Sequence, residues 1–247
     1  MNWNPTKIAK KLLRSKQYLK FLDDYRRFNA LSSELGKKQL KWSDKKIMLG
    51  ENTQVTKFDT HYVYHPAWAS RIVAKTKPKE HVDISSTLHF STIISAFVPV
   101  KFYDFRPAYL NLDGLVSKKA DLLSLPFASN SVSSLSCMHT IEHLGLGRYG
   151  DQLDPDADSA AAKELKRALA KNGNLLIVVP VGKPRVMFNA HRIYSYEQTI
   201  KMFGGLNLEE FSLIPDNALT DGIIMNADPG IVTNQKYGCG CFWFKKY

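Results

Sequence analysis

Alternating strand-like and helix-like segments after residue 80 constrain the fold of this chain more than any other feature. The clearest segment, residues 175–181, is a continuous apolar run that is typical of a central parallel strand buried on both faces. We predict further strands at residues 81–84, 100–105, 131–138, 208–214 and 241–246, with helices at residues 88–97, 158–170 and 196–203. This alternation predicts an α/β fold with a doubly wound, mostly parallel sheet.

Positive charge is concentrated in the N-terminal third of the chain. Residues 1–80 hold 18 Lys and Arg against 7 Asp and Glu, whereas residues 81–247 hold 16 of each. Apolar residues recur at helical spacing over residues 6–31, and residues 59–76 indicate a tight segment followed by a short helix. We therefore predict a basic helical extension over residues 1–79 and a second domain over residues 80–247. The extension either meets an anionic surface or is a solvated face, and both interpretations stay open.

Hydropathy and cysteine content indicate the compartment. No stretch approaches the roughly 20 apolar residues that span a bilayer, so we expect no integral membrane segment. The N-terminus lacks the pattern of a signal peptide, and three cysteines are an odd number that argues against a disulfide framework. We expect a cytoplasmic protein, with a peripheral position at the membrane open to the basic extension. Cys239 and Cys241 lack the second cysteine pair that a zinc site would need. We therefore interpret them as part of a strand or turn and expect no metal.

Acidic residues stand where ligands bind in a parallel sheet, just beyond the carboxyl ends of the strands. Asp83 opens the string D-I-S-S-T at the end of the first strand, and Asp104 follows the second. Asp121 opens the string D-L-L-S-L-P-F ahead of residues 131–138, a strand that ends in M-H-T-I-E-H. We expect the three carboxylates to converge on one rim of the sheet.

The order and spacing of these strings over residues 80–247 resemble the class I S-adenosylmethionine (SAM) methyltransferases. The resemblance implies a seven-stranded, Rossmann-like methyltransferase sheet with SAM as the cofactor. It also implies that Asp104 binds the ribose hydroxyls and that Asp121 binds the adenine amino group. The other implied cofactor-binding residues are Asp83 and Ser85 in the first turn, and Leu122 through its backbone.

The first turn departs from the D-x-G-x-G pattern of that family, since D-I-S-S-T contains no glycine. Ser85 stands where the first glycine would let the backbone approach the cofactor. This departure keeps a second interpretation open, which is a non-catalytic binding module with a degenerate cofactor site. A nucleic-acid partner is not expected, because no recognition motif of a known type accompanies the basic residues.

Two longer strings resemble an uncharacterised methyltransferase-like family. They are E-H-L-G-L-G-R-Y-G-D, from Glu142 to Asp151, and F-N-A-H-R-I-Y, from Phe188 to Tyr194. That family is associated with bacterial surface-polysaccharide genes, which implies a saccharide or sugar-nucleotide substrate.

The same strings contain the groups that methyl transfer to a hydroxyl requires. A base must take the proton as the oxygen attacks, and His143 and His191 are candidates because imidazole titrates near neutral pH. Asp151 could orient a histidine or act as the base itself. Candidate substrate-binding residues are Glu142, Arg148, Tyr149, Asn189 and Arg192. The leading hypothesis is a SAM-dependent O-methyltransferase for a saccharide or another small hydroxylated acceptor.

Structural roles stay open for several of these residues. His143 could pack beneath its loop, and Arg148 could form an ion pair with Asp151. An aromatic cluster also precedes the first strand and consists of His61, Tyr62, Tyr64, His65 and Trp68. Stacking on a ligand and packing of the extension onto the sheet are both open for that cluster.

Overall fold

The computed structural model describes residues 5–247, with side chains described from Lys10 onward. It divides into two compact units, and the boundary lies between Phe58 and Asp59. In the first unit, helix α1 spans Pro5–Glu34 and confirms the helix predicted over residues 6–31. Among the helices within residues 5–247, none is both long enough and apolar enough to cross a membrane.

Helix α2 spans Thr60–Thr76 and belongs to the second unit. The side chain of Asp59 caps it by accepting a hydrogen bond from the backbone N–H of Tyr62 at 3.1 Å. The prediction of a tight segment followed by a short helix was wrong, because the helix runs through Pro66. A proline there removes a single backbone donor, and the cap before it starts the helix earlier. The predicted boundary between residues 79 and 80 falls after this helix and stays a prediction.

The centre of the second unit is a seven-stranded sheet. Its strands are β1 (His81–Ile84), β2 (Val100–Asp104), β3 (Leu115–Lys119), β4 (Val132–Met138), β5 (Leu169–Val181), β8 (Asn207–Ile214) and β9 (Gly238–Lys245), while β6 (Arg185–Met187) and β7 (His191–Ile193) form a separate hairpin. The strand order is β3-β2-β1-β4-β5-β9-β8, in which the first five strands are parallel and β9 is antiparallel to both neighbours. This sheet confirms the predicted fold class.

Helices cover both faces of the sheet and give the doubly wound arrangement. They are α3 (Leu88–Ile94), α4 (Ala157–Ala168), α5 (Tyr196–Met202) and α6 (Ala218–Asp221). One core cluster packs Leu165 of α4 against Leu135 and Ile177 of the sheet. A second cluster packs Phe90 of α3 and Trp68 of α2 against the other side.

The structure differs from the sequence-based expectation at several element ends. Helix α4 stops at Ala168, and β5 begins at Leu169, six residues before the predicted start at 175. Its early part pairs with β4 at Val132, after which the register shifts. Strand β3 was not predicted, because an edge strand that ends in Ser-Lys-Lys lacks the apolar run of a buried strand.

Candidate functional site

Two adjoining cavities lie at the carboxyl ends of the parallel strands, where the strand order switches between β1 and β4. The larger cavity has a volume of about 710 Å³ and the smaller one about 510 Å³. His139, His143 and Tyr149 line both of them. A molecule in the larger cavity is therefore separated from one in the smaller cavity only by this shared wall.

The turn after β1 contributes Ser85 to the larger cavity. Ser85 has a backbone φ of +55°, which is the left-handed region that glycine adopts most easily. Its N–H donates to the Tyr103 carbonyl at 2.8 Å, and Thr140 Oγ1 donates to the Ser85 carbonyl at 3.0 Å. The chain therefore forms the tight turn expected at this position with a serine in place of the glycine.

Asp104 and Asp121 both line the larger cavity, as the sequence predicted. One carboxylate oxygen of Asp104 accepts the N–H of Arg106 at 2.7 Å, and one of Asp121 accepts the N–H of Leu123 at 2.9 Å. These bonds to the residue two positions ahead fix each carboxylate and leave its second oxygen for a ligand. Leu122 lines the same cavity and is buried.

Asp83 does not line either cavity, which corrects the expectation that three carboxylates converge there. It is fully buried, because its side chain points to the sheet face that α3 covers. Its two oxygens accept hydrogen bonds from Ser91 and Ser136, each at 2.5 Å. Burial raises the pKa of Asp83 to about 6. Asp83 therefore ties α3 and β4 to β1 beneath the rim.

The smaller cavity is walled mainly by aromatic and ionisable side chains. Beyond the shared wall, it is lined by Tyr62, Glu142, Arg148, Asn189, His191 and Tyr237. Four of the predicted substrate-binding residues line this cavity, namely Glu142, Arg148, Tyr149 and Asn189. Among the predicted catalytic residues, His143 lines both cavities and His191 lines only this one. These residues are far apart in the sequence, since Tyr62 lies in α2, His191 lies in the hairpin and Tyr237 lies just before β9.

His143 is oriented by the hairpin region. Its Nδ1–H donates to the Ala190 carbonyl at 2.6 Å, so the neutral ring carries its lone pair on Nε2. That Nε2 lies 3.8 Å from Glu142 Oε1. A proton taken up at Nε2 would therefore be stabilised by the neighbouring carboxylate. This geometry suits a general base at the wall between the cavities.

Two buried polar atoms of the smaller cavity have no hydrogen-bond partner within the described part of the chain. They are Glu142 Oε2 and His191 Nε2. Burial, followed by the nearby His143, lowers the pKa of His191. Buried polar atoms in folded proteins are normally paired, so these two atoms point to a polar ligand in the cavity.

Asp151 shapes the loop over residues 144–156 from the side of the larger cavity. It accepts the N–H groups of Gly147 at 3.3 Å and Tyr149 at 3.1 Å. Partial burial acts to raise its pKa, but the backbone donors outweigh this effect and lower it. Arg148 donates instead to the Ala190 carbonyl at 3.2 Å, so the Arg148–Asp151 ion pair that the sequence left open is not formed in the described structure.

Arg192 does not reach either cavity, which corrects its prediction as a substrate-binding residue. Its buried guanidinium donates to the carbonyls of Leu144 at 2.5 Å and Pro155 at 3.2 Å. It also lies 3.5 Å from the carboxylate of Asp158. Arg192 thus binds both ends of the loop over residues 144–156, which lines the larger cavity.

A cluster of His61, His139 and Cys239 lies at the shared wall and was missed by sequence reasoning. One ligand-type atom from each residue lies within 4.8 Å of the other two, and all three residues are buried. His139 Nε2 is 3.3 Å from Cys239 Sγ, and the rings of His61 and His139 stack with centroids 5.5 Å apart. The string M-H-T-I-E-H offered a signal for one member of the cluster, because His139 directly follows β4 and so stands at the edge of the sheet where ligands bind.

Burial dominates the electrostatics around this cluster. Burial, followed by the neighbouring His139, lowers the pKa of His61 to about 4. It raises the pKa of Tyr237 to about 12, helped by Glu142. The ring of Tyr237 stacks on His61 with centroids 5.1 Å apart. From the aromatic cluster noted in the sequence, His61 and Tyr62 therefore reach the site, whereas Trp68 packs in the core.

One family model matches part of the chain. A family model described as "Caenorhabditis protein of unknown function, DUF268" matches residues 127–217. No curated protein matches the chain.

Solved structures with the same fold cover about three quarters of the chain. The BH2331 protein of Bacillus halodurans is similar with a TM-score of 0.51 at 15% identity over 73% of this chain and 98% of that one. The N-methyltransferase NodS of Bradyrhizobium japonicum, solved in complex with S-adenosylhomocysteine, gives 0.51 at 11% identity over 73% and 85%. The [4+2]-cyclase SpnF gives 0.50 at 11% identity over 73% and 80%. The fold is therefore that of Rossmann-like methyltransferases, a fold that also carries other chemistry.

Proposed function

We propose that this chain is a SAM-dependent methyltransferase that transfers the methyl group to a hydroxyl of a small, saccharide-type acceptor. The observation that carries the proposal is the pair of cavities that share His139, His143 and Tyr149 as a wall. Methyl transfer requires the donor and the acceptor oxygen to meet in line at contact distance. Two neighbouring cavities with a base between them provide that arrangement.

The larger cavity fits the cofactor in size and chemistry. Its volume of about 710 Å³ lies within the range of small-molecule sites, about 300–1,000 Å³. Asp104 would accept hydrogen bonds from the ribose hydroxyls, and Asp121 would accept one from the adenine amino group. Leu122 would pack beside the adenine. SAM supplies an electrophilic methyl group when bound, and the turn at Ser85 would lie beside its methionine portion.

The smaller cavity fits a hydroxylated acceptor. His143 Nε2 carries the lone pair of the neutral ring, and Glu142 Oε1 lies 3.8 Å away, where it would stabilise the imidazolium. Tyr62 and Tyr237 line this cavity and would supply aromatic surface against which a sugar ring could pack. The resemblance to a family associated with polysaccharide genes is consistent with that acceptor class.

Calorimetric titration with S-adenosylhomocysteine tests the proposal. Wild-type protein should bind it, and Asp104→Ala and Asp121→Ala should each weaken binding by about 10–100-fold, the usual cost of a hydrogen bond to a charged group. Asp113→Ala is the matched control, because Asp113 is an exposed acidic residue outside both cavities. Equal affinity in all four proteins would contradict the assignment of the carboxylates.

The second candidate function is a non-catalytic binding module, which Ser85 in the glycine position favours. On that interpretation the serine side chain keeps the cofactor out. It predicts no binding of S-adenosylhomocysteine at millimolar concentration, although the protein is folded. The same titration therefore distinguishes the two functions.

The basic extension supports a further proposal about location. The net charge of +11 arises within residues 1–80, and we propose that this segment contacts an anionic surface, as a peripheral association with a membrane would require. Binding to vesicles of anionic lipid that falls steeply with added salt would support it. Equal binding to neutral vesicles would contradict it.

A further inference from the structure

We infer that His61, His139 and Cys239 form a binding site for a single borderline divalent transition-metal ion, such as Zn²⁺ or Co²⁺. The three residues come from different parts of the second unit, namely from α2, from the end of β4 and from β9. Imidazole and thiolate are the ligands that this class of metal prefers. The inference goes beyond methyl transfer and does not depend on it.

The distances suit a shared metal. Ligand atoms bound at 2.0–2.3 Å to a tetrahedral zinc ion are about 3.3–3.8 Å apart. His139 Nε2 and Cys239 Sγ are 3.3 Å apart, and the donor atoms of all three residues lie within 4.8 Å of one another. A hydrogen bond from the thiol to His139 would explain one of these distances. His61 is held beside this pair by stacking on His139 and Tyr237, with ring centroids 5.5 and 5.1 Å away, so a third donor lies within reach of the same point.

Glu142 supplies the supporting contact that metal-binding histidines usually have. The Nδ1–H of His139 donates to Glu142 Oε1 at 2.8 Å, so the neutral ring presents its Nε2 lone pair toward Cys239. A carboxylate that orients a ligating histidine in this way is a recurrent feature of zinc sites. The tautomer required for ligation is therefore already set by Glu142, which acts here as a positioning residue.

The site has three protein ligands and an open side. His139 lines both cavities, so a fourth ligand could reach a metal at this cluster from there. Three protein ligands with an open position are typical of catalytic rather than structural zinc sites. When the metal binds, Cys239 loses its thiol proton to solvent and becomes the thiolate ligand. If the proposed methyl transfer is correct, the bound metal would place positive charge beside the acceptor hydroxyl.

Cobalt titration of the full chain, stripped of metal with a chelator, tests the inference. We expect one equivalent of Co²⁺ to produce a near-ultraviolet sulfur-to-cobalt charge-transfer band, which added Zn²⁺ abolishes. Cys239→Ser should remove the band. Cys241→Ser should keep it, since Cys241 is a second buried cysteine on the same strand and lies outside the cluster. Glu142→Gln should weaken cobalt binding by about 10–100-fold.

Two results would overturn the inference. One is the lack of any band in wild-type protein whose circular dichroism shows it to be folded. The other is a band of equal strength in Cys239→Ser. Titration with S-adenosylhomocysteine on the same preparations reports separately on the proposed methyltransferase function, so failure of one proposal is distinguishable from failure of the other.

Discussion

The two cavities share three wall residues but are built in different ways. One side of the larger one is formed by short turns at the strand ends, in which Ser85, Asp104 and Asp121 are held by backbone groups, and the loop over residues 144–156 completes its lining. The smaller one is assembled from residues far apart in the chain, among them Tyr62 and Tyr237. Asp104 and Asp121, which are proposed to bind the cofactor, could therefore be placed from local strings, whereas the walls proposed to contact the acceptor depend on tertiary structure.

The strongest test of this comparison is the replacement of His143, the residue at the wall between the cavities. His143→Gln should lower the turnover number for methyl transfer by about 10²–10⁴-fold, because the hydroxyl proton loses its acceptor. Affinity for S-adenosylhomocysteine should stay within about twofold. The measurement is transfer of labelled methyl from SAM to whichever member of a panel of sugars and phenols accepts it. Full turnover in the variant would show that the base lies elsewhere.

The next largest effect concerns stability and distinguishes Arg192 from Arg148, which the sequence predicted to have the same substrate-binding role. Arg192→Ala should lower the free energy of unfolding by about 3–5 kcal/mol, because Asp158 loses its buried partner and two loop carbonyls lose their donor. Arg148→Ala is the matched control and should change stability little, since its side chain is exposed. Urea denaturation measures both. Equal stability of the two variants would contradict the structural role of Arg192.

The buried histidines predict how stability depends on pH. Burial lowers the pKa of His81 to about 3 and that of His61 to about 4, whereas both are near 6.5 in the unfolded chain. The unfolded chain therefore binds more protons as the pH falls below about 6.5, and the folded state loses stability down to about pH 4 through His61 and down to about pH 3 through His81. Asp83 opposes this trend below about pH 6, because its raised pKa lets the folded state take up one proton first.

Urea denaturation at pH 7 and pH 5 checks this prediction. The protein should be less stable at pH 5, and His81→Gln should flatten the dependence by up to about 1.4 kcal/mol per pH unit. His89→Gln is the control, because His89 is exposed and should leave the slope unchanged. An unchanged slope in His81→Gln would count against a neutral, buried His81.

Replacement of the two serines in the first turn should have unequal effects, and Ser85 should show the smaller one. Ser85→Gly should change stability by no more than about 1 kcal/mol and should leave the affinity for S-adenosylhomocysteine equal or higher, because glycine adopts the positive φ readily. Ser86→Gly should cost about 1–3 kcal/mol, since the buried hydroxyl accepts the N–H of Met138 at 3.0 Å. Thermal unfolding and calorimetry measure both. Weaker cofactor binding in Ser85→Gly would show that the serine hydroxyl contributes to the site.

Sequence reasoning was most successful where local pattern determines structure. The apolar run at residues 175–181 predicted the central strand, and the strand-end positions of Asp104 and Asp121 placed both at the larger cavity. It failed for Asp83, because a strand-end carboxylate can point either to the rim or to a covered face of the sheet. Only the position of α3, with Ser91 facing Asp83, decides between the two.

Sequence reasoning also missed the contacts that tertiary structure creates. Cys239 lies 100 residues after His139 and reaches it only because β9 inserts between β5 and β8. Arg192 was predicted to bind the substrate, but in the structure its guanidinium donates to the loop carbonyls of Leu144 and Pro155. Neither proximity has a signal in the spacing of residues along the chain.

A crystal structure of the protein soaked with S-adenosylhomocysteine would show whether donor and acceptor meet at the wall between the two cavities. We predict that the adenine lies beside Asp121, that the ribose lies beside Asp104, and that the sulfur faces the wall formed by His139 and His143. A ligand bound away from that wall, or a larger cavity that stays closed to it at saturating concentration, would contradict the claim that donor and acceptor meet between the two cavities.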